Sequence, residues 1–234
     1  LTPEDSKPRR SAAYLSMNRK PTYKELKQRI REHEEQLIIH SRAEQALRES
    51  ENRYRDLSII DDLTQLYNCR HFYHQLKMEI ERVDRYGQPL SMLLLDLDDF
   101  KRFNDVYGHI EGDQVLSRLG QVIKQCLRQS DSAYRYGGEE FTILLPMTTD
   151  MDGTVIAERI RTEFKKEHFF PKPRHDTHMT VSIGLAQYEP GEDMKVYVHR
   201  VDQVMYEAKE KGKNMICWPG HPTFYQQQVL FSLQ

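Results

Sequence analysis

Residues 135–141 read RYGGEEF, and a second acidic run, DLDD, occupies residues 96–99. Two adjacent glycines lead straight into the carboxylates Glu139 and Glu140. Glycine at such a point permits a tight turn or the close approach of another group to the backbone. Clustered acids that follow a buried strand repel one another, so either their pKa values rise or they hold a cation. A hard ion such as Mg²⁺ needs only one or two carboxylates together with substrate phosphates. Asp96 from one strand and Glu139 from a neighbouring hairpin tip would suffice, with the glycines letting a phosphate reach the backbone. Read alone, GGEE is also an ordinary surface turn carrying two solvated acids, and the rest of the chain has to decide.

The elements that position these residues are visible in the hydrophobic pattern. SMLLLD (91–96) is an unbroken apolar run ending in acid, as expected of a central strand buried on both faces. AYRY (133–136) and FTILLP (141–146) flank the glycines as two strands, which makes GGEE the turn of a β-hairpin. QLKMEIERVDRY (75–86), VLSRLGQVIKQCL (115–127) and residues 150–166 and 194–211 have helical period. HFFPKPRH (168–175) reads as a loop, MTVSIGLAQY (179–188) as a strand and NMICW (214–218) as a last short strand. Hairpins mixed with crossover helices predict an α+β fold, a sheet covered by helices.

Upstream, residues 1–21 contain Pro3, Pro8 and Pro21 without helical or strand period and read as a flexible lead-in. Residues 22–57 lack Gly and Pro, and Leu26, Ile30, His33, Leu37 and His40 alternate steps of four and three, a heptad seam. Ala43, Leu47, Tyr54 and Leu57 continue the stripe after a register slip near His40. A long N-terminal helix is expected, acting as a signalling and dimerising stalk; the alternative is a lone amphipathic helix. Residues 219–234 form a tail with no readable pattern.

The chain of 234 residues is 38% hydrophobic and 30% charged, enough for one domain and an exposed appendage. A net charge of −2 gives no general reason to bind a nucleic acid polymer. No stretch approaches the roughly 18 apolar residues of a membrane span, and no signal-peptide core opens the chain. A cytoplasmic protein is expected, with room for tethering through an upstream region, since the chain starts at Leu1. Cys69, Cys126 and Cys217 are odd in number and far apart, which fits free thiols. His71 with His74 and His175 with His178 form close pairs, but neither stretch presents the four-ligand spacing of a structural zinc site, which argues against zinc.

Physical reasoning on the residues stops at a metal-dependent enzyme or a binder of phosphates. DDLTQLYNCR (61–70), DLDDFKRFNDVYGHIEGD (96–113), RYGGEEF, TVSIG (180–184) and YEAKEKGKN (206–214) go further. In order and spacing they resemble the GGDEF family, the diguanylate cyclases, over about residues 58–217. The resemblance implies a domain over 58–218 with a palm-like fold as in nucleotide cyclases, built on a central, mainly antiparallel five-stranded sheet. It implies that a homodimer, each subunit carrying one GTP and two Mg²⁺ or Mn²⁺ ions, joins two GTP into cyclic di-GMP with loss of pyrophosphate.

The resemblance also assigns roles. Asp96, the Leu97 carbonyl and Glu139 would hold metal, and Glu140 would assist as a ligand or in deprotonating the attacking 3′-hydroxyl. Main-chain N–H groups at Phe100 and Lys101 would cradle the triphosphate, and Lys209 and Lys213 would bind its outer phosphates. Asn104 and Asp113 would read guanine; a carboxylate accepts from the N1–H and N2–H₂ edge that adenine lacks. Arg128 and Asp131 match the family's RxxD inhibitory site, to which Arg159 would contribute, implying feedback inhibition by product. Lys209 and Lys213 also suit a solvated helix face beside Glu207 and Glu210, Asn104 a turn, Arg128 and Asp131 an exposed pair, and Asp98 a structural role. Gln65 replaces a common glycine, Cys69 a common arginine and Lys213 a common arginine of the family pattern. The competing readings are a catalytically silent module that binds GTP or cyclic di-GMP, and a metal-dependent nucleotide hydrolase.

Overall fold

The computed structural model describes residues 20, 22–57, 59–172 and 175–219, so most of the expected lead-in and tail lie outside the described residues. The chain divides into two compact units between Leu57 and Ser58. The first holds α1 (Tyr23–Leu57), a single helix of 35 residues. It opens on a reciprocal cap: the Thr22 N–H donates to the Glu25 carboxylate at 2.7 Å and the Glu25 N–H to the Thr22 hydroxyl at 3.4 Å. Among its described side chains, Leu26 is 43%, Ile30 57% and Leu37 58% exposed.

The second unit is built on a six-stranded sheet: β1 (Tyr67–Asn68), β2 (Leu90–Leu97), β3 (Ser132–Arg135), β4 (Glu140–Pro146), β7 (Val181–Gln187) and β8 (Ile216–Cys217). A separate two-stranded ribbon holds β5 (Phe169–Lys172) and β6 (His175–Thr177). The large sheet runs in the order β1-β3-β4-β2-β7-β8. Its four inner strands are antiparallel, and the two-residue strands β1 and β8 add parallel edges. The sheet is thus mainly antiparallel, as expected, with one strand more than the five predicted. The sixth is β1, too short to leave a periodic pattern and formed only because β3 lies beside it.

The helices are α2 (Cys69–Tyr86), α3 (Phe100–Tyr107), α4 (His109–Cys126), α5 (Asp150–Lys165) and α6 (Met194–Glu210). Strand β2 explains the layering. Met92 and Leu94 point to a cluster with Phe72, Leu76, Tyr197 and Val201 from α2 and α6. Leu93, Leu95 and Leu97 point to the opposite cluster, with Val115, Leu119, Ile156 and Ile160 from α4 and α5. A strand with both faces covered is apolar wherever its side chains have no hydrogen-bond partner, which is why 92–95 shows no alternation while the buried Ser91 hydroxyl donates to the Thr148 carbonyl at 2.9 Å.

Two further elements differ from expectation. Residues 169–172 of the expected loop form β5, paired with β6 at 175–177; Pro171 is tolerated because β5 belongs to an isolated ribbon whose pairing is irregular between Phe169 and Lys172. Helix α3 was not expected, since its eight residues bury only Phe100 and Phe103. Among the described residues no helix is long and apolar enough to cross a membrane.

Candidate active site

Asp96 and Glu140 stand directly opposite each other in the β2–β4 register, so their side chains leave the same face of the sheet. This is the face of Met92 and Leu94, over which α6 runs. Helix α6 brings Lys209, whose ammonium donates to the Asp96 carboxylate and, at 3.2 Å, to the Leu97 carbonyl. The hairpin tip is fixed from several sides. The Leu97 N–H donates to the Glu139 carbonyl at 3.3 Å, and the N–H groups of Tyr136 and Gly137 donate to the Glu140 carbonyl at 2.8 and 3.2 Å. Arg135 donates to the carbonyls of Gly137 at 3.2 Å and Gly138 at 2.8 Å, and it pairs with Asp61 at 3.3 Å. A Cβ on Gly137 would come within 2.7 Å of Glu140 Oε2, so this glycine makes room for the carboxylate behind it.

The electrostatics follow. Burial raises Asp96, with Asp98 and Asp202 adding to the rise, while the bond and charge of Lys209 pull the other way. Burial and then the Asp96 charge raise Glu139; burial, Asp96 and Asp202 raise Glu140. Half-buried carboxylates that are uncomfortable as anions, with a backbone carbonyl beside them, form an oxygen-only donor set suited to a hard divalent ion. The Lys209 ammonium already lies on two of these oxygens, Asp96 and the Leu97 carbonyl. The residues fit the cation they were expected to hold.

Asp98 does different work. It is buried, accepts from the Ser182 and Thr180 hydroxyls at 2.7 Å each, and accepts from the Asn214 N–H at 2.9 Å. This accounts for the hydroxyls of TVSIG. Its glycine, Gly184, lies so close to α6 that a Cβ would meet the backbone nitrogen of Met205 at 2.3 Å.

At the start of α3 the N–H groups of Phe100 and Lys101 fall in the first turn, where a helix has no acceptors of its own. Asp99 makes no side-chain cap; its carboxylate pairs instead with Lys213 at 2.7 Å. Asn104 points at α4, where a Cβ on Gly112 would lie 1.9 Å from its Oδ1. That oxygen is buried without a hydrogen-bond partner. Asp113, the next residue, is exposed and lines a cavity of about 450 Å³ with Leu63, Arg118, Glu167, His168 and Phe169.

In the RQSD stretch, Asp131 closes a turn: its carboxylate accepts from the Arg128 backbone N–H at 2.9 Å, and the Arg128 side chain is exposed. Both residues line a cavity with Lys124, Gln65 and Tyr67. Arg159 lies nearby but differently placed. It donates to the Cys126 carbonyl at the end of α4 and lines the neighbouring cavity with Arg161 and Trp218.

Asp202 and Arg135 escaped sequence reading. Asp202 lines the same cavity as Glu140 only because α6 packs across β7 and β2, so no local signal marks it. Arg135 precedes the glycine pair, a position that would have suggested a clamp on the turn's carbonyls.

The GGDEF family, described as "Diguanylate cyclase, GGDEF domain", matches residues 58–215. The diguanylate cyclase DgcM of Escherichia coli K12 is 37% identical over 179 residues, 76% of this chain and 42% of that protein. The crystal structure of the coiled coil and GGDEF domain of DgcB from Caulobacter crescentus in complex with c-di-GMP superposes with TM-score 0.67 at 31% identity, covering 79% of this chain and 98% of that one. The active GGEEF domain of a diguanylate cyclase from Vibrio cholerae gives TM-score 0.62 at 34% identity, covering 66% and 97%. The chain belongs to the GGDEF family of diguanylate cyclase domains. It spans less than half the length of the curated relatives it matches.

Proposed function

We propose that this protein is a diguanylate cyclase that joins two GTP into cyclic di-GMP and pyrophosphate. The observation that carries the proposal is the convergence of Asp96, Glu139 and Glu140 on a point where Lys209 already supplies a cation to Asp96 and the Leu97 carbonyl. Asp96, Leu97 and Glu139 would hold Mg²⁺ or Mn²⁺, two ions per site. The bound ions would neutralise charge on the phosphates and ease attack of the 3′-hydroxyl on the α-phosphate. Glu140, raised toward neutrality by burial, suits removal of the hydroxyl proton. The first turn of α3 at Phe100 and Lys101 cradles phosphate, and Lys209 and Lys213 are released from Asp96 and Asp99 to reach its outer oxygens. Asn104 and Asp113 read guanine.

One such domain holds one nucleotide, so two must face each other. The stalk, residues 22–57, supplies the pairing through Leu26, Ile30 and Leu37, which are exposed among the described residues. The relative that includes a coiled coil along with its GGDEF domain supports this division from the cyclase domain at 58–218. Arg128 and Asp131, with Arg159 from α5, bind product and inhibit. A site within the cytoplasm, where GTP is made, follows from the reaction.

The test is incubation of nucleotide-free protein with GTP and Mg²⁺, with products identified by mass spectrometry and Glu139→Gln as control. Cyclic di-GMP from the unmutated protein alone is expected. GDP or GMP would establish a hydrolase instead, and binding of GTP without any product would establish a silent module. Feedback is tested separately: Arg128→Ala is expected to abolish inhibition by added cyclic di-GMP, and unchanged inhibition would overturn that role.

A further inference from the structure

The β5–β6 ribbon places three metal-binding side chains on one face. Phe169 pairs with Thr177, so His168 comes opposite His178, and Asp176 lies two residues before His178 on the same side. One candidate ligand atom from each of His168, Asp176 and His178 lies within 4.8 Å of the other two, and all three residues are exposed. The sequence offered His178 only His175 as a neighbour; folding brings it His168, ten positions away.

The imidazoles are already oriented. His178 Nδ1 donates to the Glu167 carbonyl at 2.9 Å, which fixes the ring and leaves Nε2 as the nitrogen with a lone pair. This is the arrangement by which metal-ligating histidines are commonly held, the other ring nitrogen donating to a backbone carbonyl. His168 Nδ1 donates to Asp176 at 2.9 Å, and the two rings sit 4.3 Å apart edge to face. The ribbon itself is anchored. Phe169 packs on the core, Arg118 on α4 grips Glu167 through two bonds of 2.6 and 2.9 Å, and Lys172 lies over the Tyr107 ring at 5.2 Å.

We propose that His168, Asp176 and His178 form a binding site for a divalent transition metal, Zn²⁺ being the representative ion. Two imidazoles and one carboxylate suit Zn²⁺, Co²⁺, Ni²⁺ and Cu²⁺ and are poor ligands for Mg²⁺, so the site differs in kind from the oxygen-only set at Asp96. Three protein ligands leave coordination positions for water. A bound ion would link β5 to β6 and stiffen the wall that Glu167, His168 and Phe169 contribute to the Asp113 cavity.

The test is titration of the whole protein with Zn²⁺ against a chromophoric chelator, and with Co²⁺ by its visible absorption, both in excess Mg²⁺ to saturate the carboxylate site. One Zn²⁺ per chain is expected. Since loss of a mere supporting partner weakens metal sites by about 10- to 100-fold, His168→Ala with His178→Ala is expected to weaken binding by at least about tenfold. Asp96→Asn should leave it unchanged. The three side chains are exposed, so the double variant should fold, and circular dichroism checks this. The proposal is overturned if the unmutated protein binds no Zn²⁺ in excess Mg²⁺, or if the double variant binds it equally well.

Discussion

Lys209 donates its ammonium to the Asp96 carboxylate, joining the end of α6 to the end of β2 across 113 positions of sequence. The same nitrogen also reaches the Leu97 carbonyl. On the proposed assignment of Asp96 and Leu97 as ligands, ion and ammonium would compete for the same oxygens. Lys209→Ala is expected to increase the thermal stabilisation given by Mg²⁺, because the ammonium no longer occupies the Asp96 and Leu97 oxygens, and to lower turnover about 100-fold through loss of the proposed phosphate-binding charge. Thermal shifts with and without Mg²⁺, alongside initial rates, check both; an unchanged Mg²⁺ shift would separate Lys209 from the metal site.

Gly112 is the only residue type that leaves space for Asn104. A Cβ there would overlap Asn104 Oδ1, so Gly112→Ala must turn the amide away from its present position. The expected result is a rise in KM for GTP of roughly tenfold, since one lost hydrogen bond to a substrate is worth about 1.4 kcal/mol, with little change in thermal stability. Steady-state kinetics distinguish this from a folding defect.

The raised carboxyls give the metal-free protein a particular pH dependence. A glutamate whose folded value lies above its ordinary one near 4.5 binds more protons folded than unfolded, so stability falls as pH rises through that interval and the penalty persists above it. Glu140→Gln removes the penalty. Without metal, the variant is expected to melt about 1–2 °C higher than the unmutated protein at neutral pH, and the difference should vanish near pH 4. Equal melting temperatures at neutral pH would refute the account.

Asp61 behaves in the opposite sense. Burial works to raise it, but the Thr64 hydroxyl at 2.7 Å, the Thr64 N–H at 2.8 Å and the Arg135 charge outweigh burial and hold it below its ordinary value. Its stabilisation is therefore present above the ordinary value of 3.8 and lost as pH falls through the lower folded one. Asp61→Asn should cost about 1 kcal/mol at neutral pH and flatten the acid limb of the stability curve. Denaturant melts from neutral pH to strong acid measure it.

Gln65 has φ of 58°, in the left-handed region where the family commonly has glycine. Gln65→Gly relieves a strain of about 1 kcal/mol, partly offset by the added freedom of the unfolded chain. A net gain of a few tenths of a kcal/mol is expected. A loss would mean that the Gln65 amide bond to the Asp62 carbonyl, 2.8 Å, matters more than the backbone.

Much of the architecture was legible because it depends on neighbours in sequence. The apolar run of β2, the helical period of α2, α5 and α6 and the glycine-acid turn are local patterns, and DDLTQLYN proves to be an Asp61–Thr64 turn followed by the Asn68 cap of α2. What stayed hidden depends on distance. β1 exists only beside β3, β5 carries a proline that reads as loop, and α3 buries too few residues to announce itself.

The sequence by itself determined which acids, lysines and amides the protein possesses and the order in which its strands and helices form, since spacing and polarity act along the chain. Tertiary structure decided which of them meet. It sent Asp98 to the hydroxyls of Thr180 and Ser182 while leaving Asp96 facing Glu140, added Asp202 to that face, and set His168 across from His178. Asp96 and Asp98 are two positions apart, so alternation along a strand does not separate them; β2 ends at Leu97, and strand order and helix crossing, rather than the residues on either side, choose what each carboxylate meets.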